Sequence, residues 1–160
     1  MNDAGVRPFS IRALLEDRAR YLVPMYQRNY AWGEGEITQL LQDVLDYQQK
    51  LVSGKGPQTY YIGTLVVFAR DDGSFEVIDG QQRFTTLSLL ANWLKHHAID
   101  SVDMSWYQTI NLAFESRPIS SHTFERLWQG VAPYDLRGST FNEGLVNGFE
   151  LIDKAMAELG

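Results

Sequence analysis

The chain has 160 residues, enough for one domain with a core of normal size. Hydrophobic residues make up 44% and charged residues 21%, the balance of ordinary globular material, and a net charge of −6 argues against a general nucleic-acid binder, which needs a basic surface. No apolar run approaches the roughly 20 residues of a membrane span, the N-terminus lacks an apolar signal core, and the absence of cysteine removes disulfides and thiolate metal sites, so a cytoplasmic location is expected.

The charge is unevenly spread. Residues 1–28 hold five arginines (Arg7, Arg12, Arg18, Arg20, Arg28) against Asp3, Glu16 and Asp17, which makes that stretch +2 and the remainder −8. A local basic lip on an acidic body suits a small anionic ligand better than a long duplex, although solvated surface arginines account equally for Arg7, Arg12 and Arg18. Ser10 is placed to cap a short helix with Ile11, Leu14 and Leu15 on one face. Tyr21 to Val23 reads as a short strand stopped by Pro24, and Met25 to Gly35, aromatic and polar without a period, as an ordered loop. Ile37, Leu40, Leu41, Val44, Leu45, Leu51 and Val52 keep helical spacing.

Ser53 to Gln58 is a turn. Tyr60 to Ala69 and Phe75 to Ile78 are β-branched and aromatic, and Asp71-Asp72-Gly73 between them predicts a hairpin. A helix follows that buries Leu87, Leu90, Ala91 and Leu94 and ends around His97. Further on, Thr109 to Phe114 reads as a strand, Ser121 to Gln129 as a helix capped by Ser120 or Ser121, and Thr140 to Leu159 as a long helix. The fold class is therefore α+β: one domain, with a motif-bearing core over 1–98 and a mainly helical extension over 99–160. Ending just past a helix, it reads as the N-terminal fragment of a longer protein.

The segment V-I-D-G-Q-Q-R-F-T-T-L, Val77 to Leu87, concentrates polar chemistry between an apolar strand and an apolar helix. One reading is structural: Asp79 caps the helix, Gln82 completes a capping box and Gly80 permits a tight turn. That leaves Gln81, Arg83, Thr85 and Thr86 unexplained, since two threonines in a first turn lower helix propensity. The other reading is an anion site. The helix N-terminus offers partial positive charge and N–H donors, and Arg83 adds a planar fork for phosphate oxygens. Thr85 and Thr86 donate to phosphate, while Gln81 and Gln82 orient water or read a base edge. Asp79 holds Mg2+ through water or acts as a base toward an attacking water. The segment is not a Walker loop, for no G-x-x-x-x-G-K-[ST] occurs.

Val23 to Trp32, V-P-M-Y-Q-R-N-Y-A-W, is the second unusual stretch. Tyr26, Tyr30 and Trp32 alternate with Gln27, Arg28 and Asn29, a pattern that stacks a base and holds its phosphates, with Tyr26 the stacking candidate. The alternative is that the aromatics plug the edge of the core, the more natural reading for Tyr30 and Trp32. Arg28, among apolar neighbours, calls for an anionic partner, either a ligand or Asp79.

Taken in order, Y-Q-R-x-Y-x-W, a helix, a Y-x-G-T-L-V-V-like strand and I-D-G-Q-Q-R-x-T-T-L resemble the DGQQR-motif domain. That domain forms the N-terminal part of GmrSD-type modification-dependent restriction enzymes and SspE-type phage-defence proteins, and is related in fold to the ParB/sulfiredoxin group. The resemblance spans roughly residues 8–95, and Leu112 to Arg117 is similar to the strand and arginine that follow the motif. It implies a ParB/sulfiredoxin-like mixed sheet flanked by helices and a nucleotide-binding, NTP-hydrolysing regulatory role with Mg2+. Nucleotide binding is carried onto Gln27, Arg28, Gly80, Gln81, Arg83, Thr85 and Thr86, and catalysis onto Asp79, Gln82 and Arg83. Phe84 stands where the family has leucine. The implied partners are a nucleoside triphosphate, a nuclease as a C-terminal domain or separate subunit, and DNA reached through the larger assembly. The alternatives are a non-catalytic module that recognises DNA phosphate or a modified base, and a protein-interaction domain.

Nuclease activity in these residues is not expected, because no H-N-H pattern occurs and His96, His97 and His122 lack metal-ligand spacing. His96 and His97 suit a helix C-terminus, and His122 the surface. Asp43 and Asp46 read as a solvated helix face, although the resemblance leaves Asp43 a possible reach to the site.

Overall fold

A computed structural model describes residues 10–24, 30–52, 63–97, 103–115, 117–136 and 141–159. The turn expected over Ser53 to Gln58 and the candidates Tyr26, Gln27 and Arg28 lie outside the described residues. The architecture is α+β: a mixed four-stranded sheet with helices, ordered β2-β3-β1-β4.

Ser10 opens α1 (Ile11–Glu16) as expected, its hydroxyl accepting the Ala13 N–H at 3.0 Å. β1 (Tyr21–Val23) follows, fully buried, and forms one of the two inner strands of the sheet, parallel to both neighbours. A short, wholly apolar strand is what a parallel position covered on both faces requires. The Asn111 amide fixes its approach by donating to the carbonyls of Leu14 and Asp17 at 2.7 and 3.0 Å.

α2 (Glu34–Val52) begins three residues earlier than the apolar spacing alone predicts. Gly33 explains the extension: its carbonyl accepts the Ile37 N–H and its own N–H donates to the Glu36 carboxylate at 3.0 Å. Glu34 and Glu36 then sit at the positive end of the helix. Asp43 and Asp46 accept from Gln39 and Gln42, one turn back on the same helix.

β2 (Val66–Ala69) begins after Gly63 to Leu65, which the predicted Tyr60 to Ala69 strand included; residues 60–62 of that expectation lie outside the described residues. It pairs antiparallel with β3 (Phe75–Asp79), and the last pair is Val66 with Asp79. Beyond Asp79 the chain turns into a helix, so Gly63 to Leu65 have no strand alongside. The hairpin falls where predicted: Gly73 has φ +89°, and Asp72 Oδ1 accepts from the Ser74 N–H and hydroxyl at 2.9 and 2.6 Å. Arg70 bridges Glu76 and Glu115 at 2.9 and 2.7 Å, tying the hairpin to the chain beyond the far edge strand.

α3 (Gln81–His97) buries Leu87 and Ala91, but Leu90 and Leu94 are only partly covered. The burial extends instead over Phe84, Thr85, Thr86, Ser88, Leu89 and Asn92. The helix is enclosed on several sides, so a single apolar stripe was the wrong template for it. β4 (Leu112–Phe114) starts later than the predicted Thr109. α4 (Pro118–Trp128) starts earlier than predicted and is not capped by Ser120 or Ser121. Pro118 opens it, its fixed φ and missing N–H being harmless in a first turn, while Ser120 is buried and accepts from the Asn142 amide at 2.8 Å.

After a 3-10 turn (Pro133–Asp135), Asn142 caps α5 (Glu143–Leu159), its Oδ1 accepting the Leu145 N–H at 3.2 Å. Leu145, Val146, Phe149 and Ile152 form the buried stripe of α5, which packs against α2 and α3. His96 Nε2 lies 2.7 Å from the Trp128 carbonyl, His97 stacks on Trp93, and His122 stacks on Phe141. These histidines make packing contacts in separate places. Among the described residues no helix is long and apolar enough to cross a membrane.

Candidate anion site at the start of α3

β3 delivers its last residue, Asp79, to the surface, and the chain reverses at Gly80 to enter α3. Gly80 has φ +95°, and a Cβ on it would lie 2.7 Å from the Thr64 carbonyl oxygen. Only glycine accepts both the left-handed conformation and that approach. The Gly80 carbonyl accepts the Phe84 N–H at 3.0 Å, so the helix is counted from Gly80, and Asp79 stands one residue before the cap. The predicted Asp79 cap is therefore displaced by one position; the Asp79 carboxylate instead accepts the Gly80 N–H at 2.9 Å. The N–H groups of Gln81, Gln82 and Arg83 precede the first intrahelical bond and lie at the positive end of the helix.

Gln82 is buried and reaches sideways, its Oε1 accepting the Ala31 N–H at 2.8 Å. Thr85 and Thr86 are also buried, each returning its hydroxyl to the helix: Thr85 to the Gln81 carbonyl at 2.7 Å, Thr86 to the Gln82 carbonyl at 2.9 Å. Thr86 Oγ1 lies 2.6 Å from Tyr30 Oη as well. Burial pushes the Tyr30 phenol up to about 12. These polar residues of the motif thus face inward, and they hold the 30–33 segment against the helix start. Tyr30 is buried in the core, and two glycines of α5 leave room for it: a Cβ on Gly148 would lie 2.6 Å from the Tyr30 ring, and one on Gly144 would meet its carbonyl oxygen.

Arg83 behaves differently. It is half-buried, its Nε has no hydrogen-bond partner, and no carboxylate among the described residues pairs with it. Its guanidinium carbon lies 5.7 Å from the centre of the Trp32 ring, and a Cβ on Gly63 would collide with the guanidinium. An aromatic ring and a bare stretch of backbone therefore form a slot around a cation that pairs with no carboxylate among the described residues. The structure brings together Asp79, Gly80, Gln81, Gln82 and Arg83 at one turn, with Thr85 and Thr86 behind it.

Two contributors were missed from sequence. Gly63 was placed inside a strand, and Trp32 was read as an edge plug. Trp32 also lines a cleft of about 480 Å3 together with Ala31, Gly33 and, from α5, Gly144, Asn147, Glu150, Leu151 and Lys154. No local motif marks the α5 residues, since they approach only through the packing of that helix.

The protein is thus a mixed α+β domain with an arginine, paired with no carboxylate among the described residues, at a glycine-bent strand-to-helix turn. A family model described as the GmrSD restriction endonuclease N-terminal domain matches residues 11–155. The chain belongs to that family, as the resemblance in the sequence implied. No curated protein matches the chain.

Proposed function

We propose that this domain binds and hydrolyses a nucleoside triphosphate and thereby regulates a modification-dependent DNA restriction or phage-defence system. The observation that carries the reading is Arg83: a half-buried guanidinium, its Nε unsatisfied, beside the positive end of α3. A partly buried guanidinium with one unsatisfied N–H carries a desolvation cost, and a phosphate group offsets that cost through charge-assisted hydrogen bonds. Backbone N–H groups at the helix start supply further donors of the kind that hold phosphates.

In this reading Arg83 neutralises charge on the terminal phosphate, and Gln27 and Arg28 of the upstream motif, outside the described residues, contribute to nucleotide binding as the resemblance implies. Thr85, Thr86 and Gln82 act from behind by fixing the turn. Asp79, exposed at the mouth, takes the catalytic position: it orients the attacking water, which forms a bond to the γ-phosphorus as the bond to the β-phosphate oxygen breaks. Among the described residues no group of three acidic or histidine side chains could hold a metal alone. Asp79 would hold Mg2+ only in the mode where phosphates and waters complete the shell, and the ion would there supply screening of the phosphate charge. The ParB/sulfiredoxin relationship belongs to the same proposal, supported by the mixed sheet with helices around it. The nuclease partner, as a further domain or subunit, and the contact with DNA belong to the larger assembly.

Calorimetric titration with a panel of nucleoside triphosphates, followed by phosphate release with and without Mg2+, tests the reading. Arg83→Ala is expected to abolish binding while circular dichroism and the melting transition stay those of the wild type. A folded Arg83→Ala protein that binds nucleotide with unchanged affinity would overturn it.

A further inference from the structure

We infer that Ser88, Asn92 and Tyr107 together hold an internal water molecule between α3 and the Met104–Tyr107 turn. Ser88 and Asn92 are wholly buried and Tyr107 is 1% exposed. Yet Ser88 Oγ, both polar atoms of the Asn92 amide and the Tyr107 hydroxyl have no hydrogen-bond partner among the described residues. Native interiors hold few such orphans, because a buried polar atom left unpaired costs its full desolvation penalty. Here four of them gather in one place.

Helical spacing and one hydrogen bond bring the three together. Ser88, Asn92 and Lys95 stand at i, i+4 and i+7, on one face of α3. Lys95 donates to the Tyr107 carbonyl at 2.6 Å, so that face is turned toward Tyr107. Burial raises the Tyr107 phenol, and the Ser88 hydroxyl beside it works against that rise. The tyrosine therefore runs along the helix, its carbonyl at Lys95 and its hydroxyl toward Ser88, with Asn92 between. No hydrogen bond of good geometry closes among the three side chains. Nor does Ser88 follow Thr85 and Thr86, which return their hydroxyls to the helix.

A water molecule matches what these groups lack. The Asn92 N–H and the Tyr107 O–H donate, while the Asn92 carbonyl and the Ser88 oxygen accept. Water accepts and donates in the same measure, and an internal one makes about three such bonds. The three side chains are uncharged and enclosed, which suits a small neutral molecule and not an ion.

Oxygen-17 magnetic relaxation dispersion, which counts long-lived waters directly, tests the assignment on the whole chain. Asn92→Leu keeps the shape of the side chain and removes both of its polar atoms. Its dispersion amplitude is expected to fall below that of the wild type by about one water or more. Equal amplitudes in two proteins shown by circular dichroism to be folded would overturn the site. Should Asn92→Leu not fold, high-resolution diffraction from wild-type crystals decides the matter. Density for a water within hydrogen-bond distance of the Asn92 amide supports the site. Direct bonds among Ser88, Asn92 and Tyr107, or no water beside them, would overturn it. Nucleotide enters none of these measurements, so the phosphate reading at Arg83 stands or falls separately.

Discussion

The hydroxyls of Tyr30 and Thr86 lie 2.6 Å apart in the core, and the direction of their bond is fixed by a third group. Thr86 gives its single proton to the Gln82 carbonyl, so the Tyr30 phenol must be the donor to Thr86. One upstream residue is thus linked to the first turn of α3 by a directed pair of hydrogen bonds. Tyr30→Phe removes the donor but keeps the ring, and it is expected to cost about 1 kcal/mol, with Thr86→Val costing a similar amount. In a double-mutant cycle read by urea denaturation, the double variant should be less destabilised than the sum of the singles, with coupling of about 0.5–1.5 kcal/mol. Additive effects would show that the pair is not coupled.

The same phenol sets an alkaline limit on stability. Burial lifts Tyr30 from its ordinary value of 10 to about 12, and burial lifts Tyr107 in the same direction. The unfolded tyrosine therefore ionises first, and unfolding is favoured progressively above pH 10. The stabilisation is complete below pH 10 and is lost as pH rises through about 12. For Tyr30 the loss is on the order of 2–3 kcal/mol. Denaturation midpoints measured from pH 8 to 11.5 should fall above pH 10, and Tyr30→Phe should fall less steeply than the wild type. Parallel pH profiles would contradict the assignment.

Gly80→Ala should be among the most damaging single substitutions in the motif. The new methyl must occupy a backbone of φ +95° and approach the Thr64 carbonyl oxygen to 2.7 Å. Conformational strain alone costs about 1–3 kcal/mol, and the obstructing atom is backbone, which cannot rotate away. A fall in melting temperature is expected together with weakened nucleotide binding, since any relief moves either the 63–65 segment or the start of α3. A variant as stable as the wild type would show that the turn tolerates a side chain.

Where the sequence was legible, local chemistry decided the structure. Ser10, the Asp71-Asp72-Gly73 hairpin and the Tyr21–Val23 strand are readable because a cap, turn residues and a short apolar run stopped by Pro24 act within a few positions. α3 was misread on its buried face because a central helix covered on several sides loses the single apolar period that amphipathic reasoning needs. The start of α4 was missed because Ser120 and Ser121 offered caps, yet Ser120 is bound to Asn142, 22 residues away. The strand–glycine–helix turn was correctly located and Arg83 is found there, but the inward direction of Thr85, Thr86 and Gln82 depends on Tyr30 and Ala31. Such contacts between distant segments leave no periodic trace in one sequence.

Gly63→Ala tests the slot around Arg83, with the melt read beside the affinity. The Gly63 backbone has φ +158°, a conformation that L side chains rarely adopt, so the substitution adds backbone strain. Its methyl would run into the Arg83 guanidinium, the far end of a flexible side chain that can swing aside. Stability should therefore fall by about 1–3 kcal/mol, the cost of a strained backbone conformation, rather than stay unchanged. The displaced guanidinium, however, leaves its position over Trp32 and the end of α3. Loss of one charge-assisted contact of about 1.5–3 kcal/mol predicts a fall in triphosphate affinity of roughly ten- to a hundredfold. Calorimetry beside a thermal melt reads both quantities on one preparation. Unchanged affinity in a folded Gly63→Ala protein would mean that the slot between Gly63 and Trp32 is not where Arg83 meets its anion.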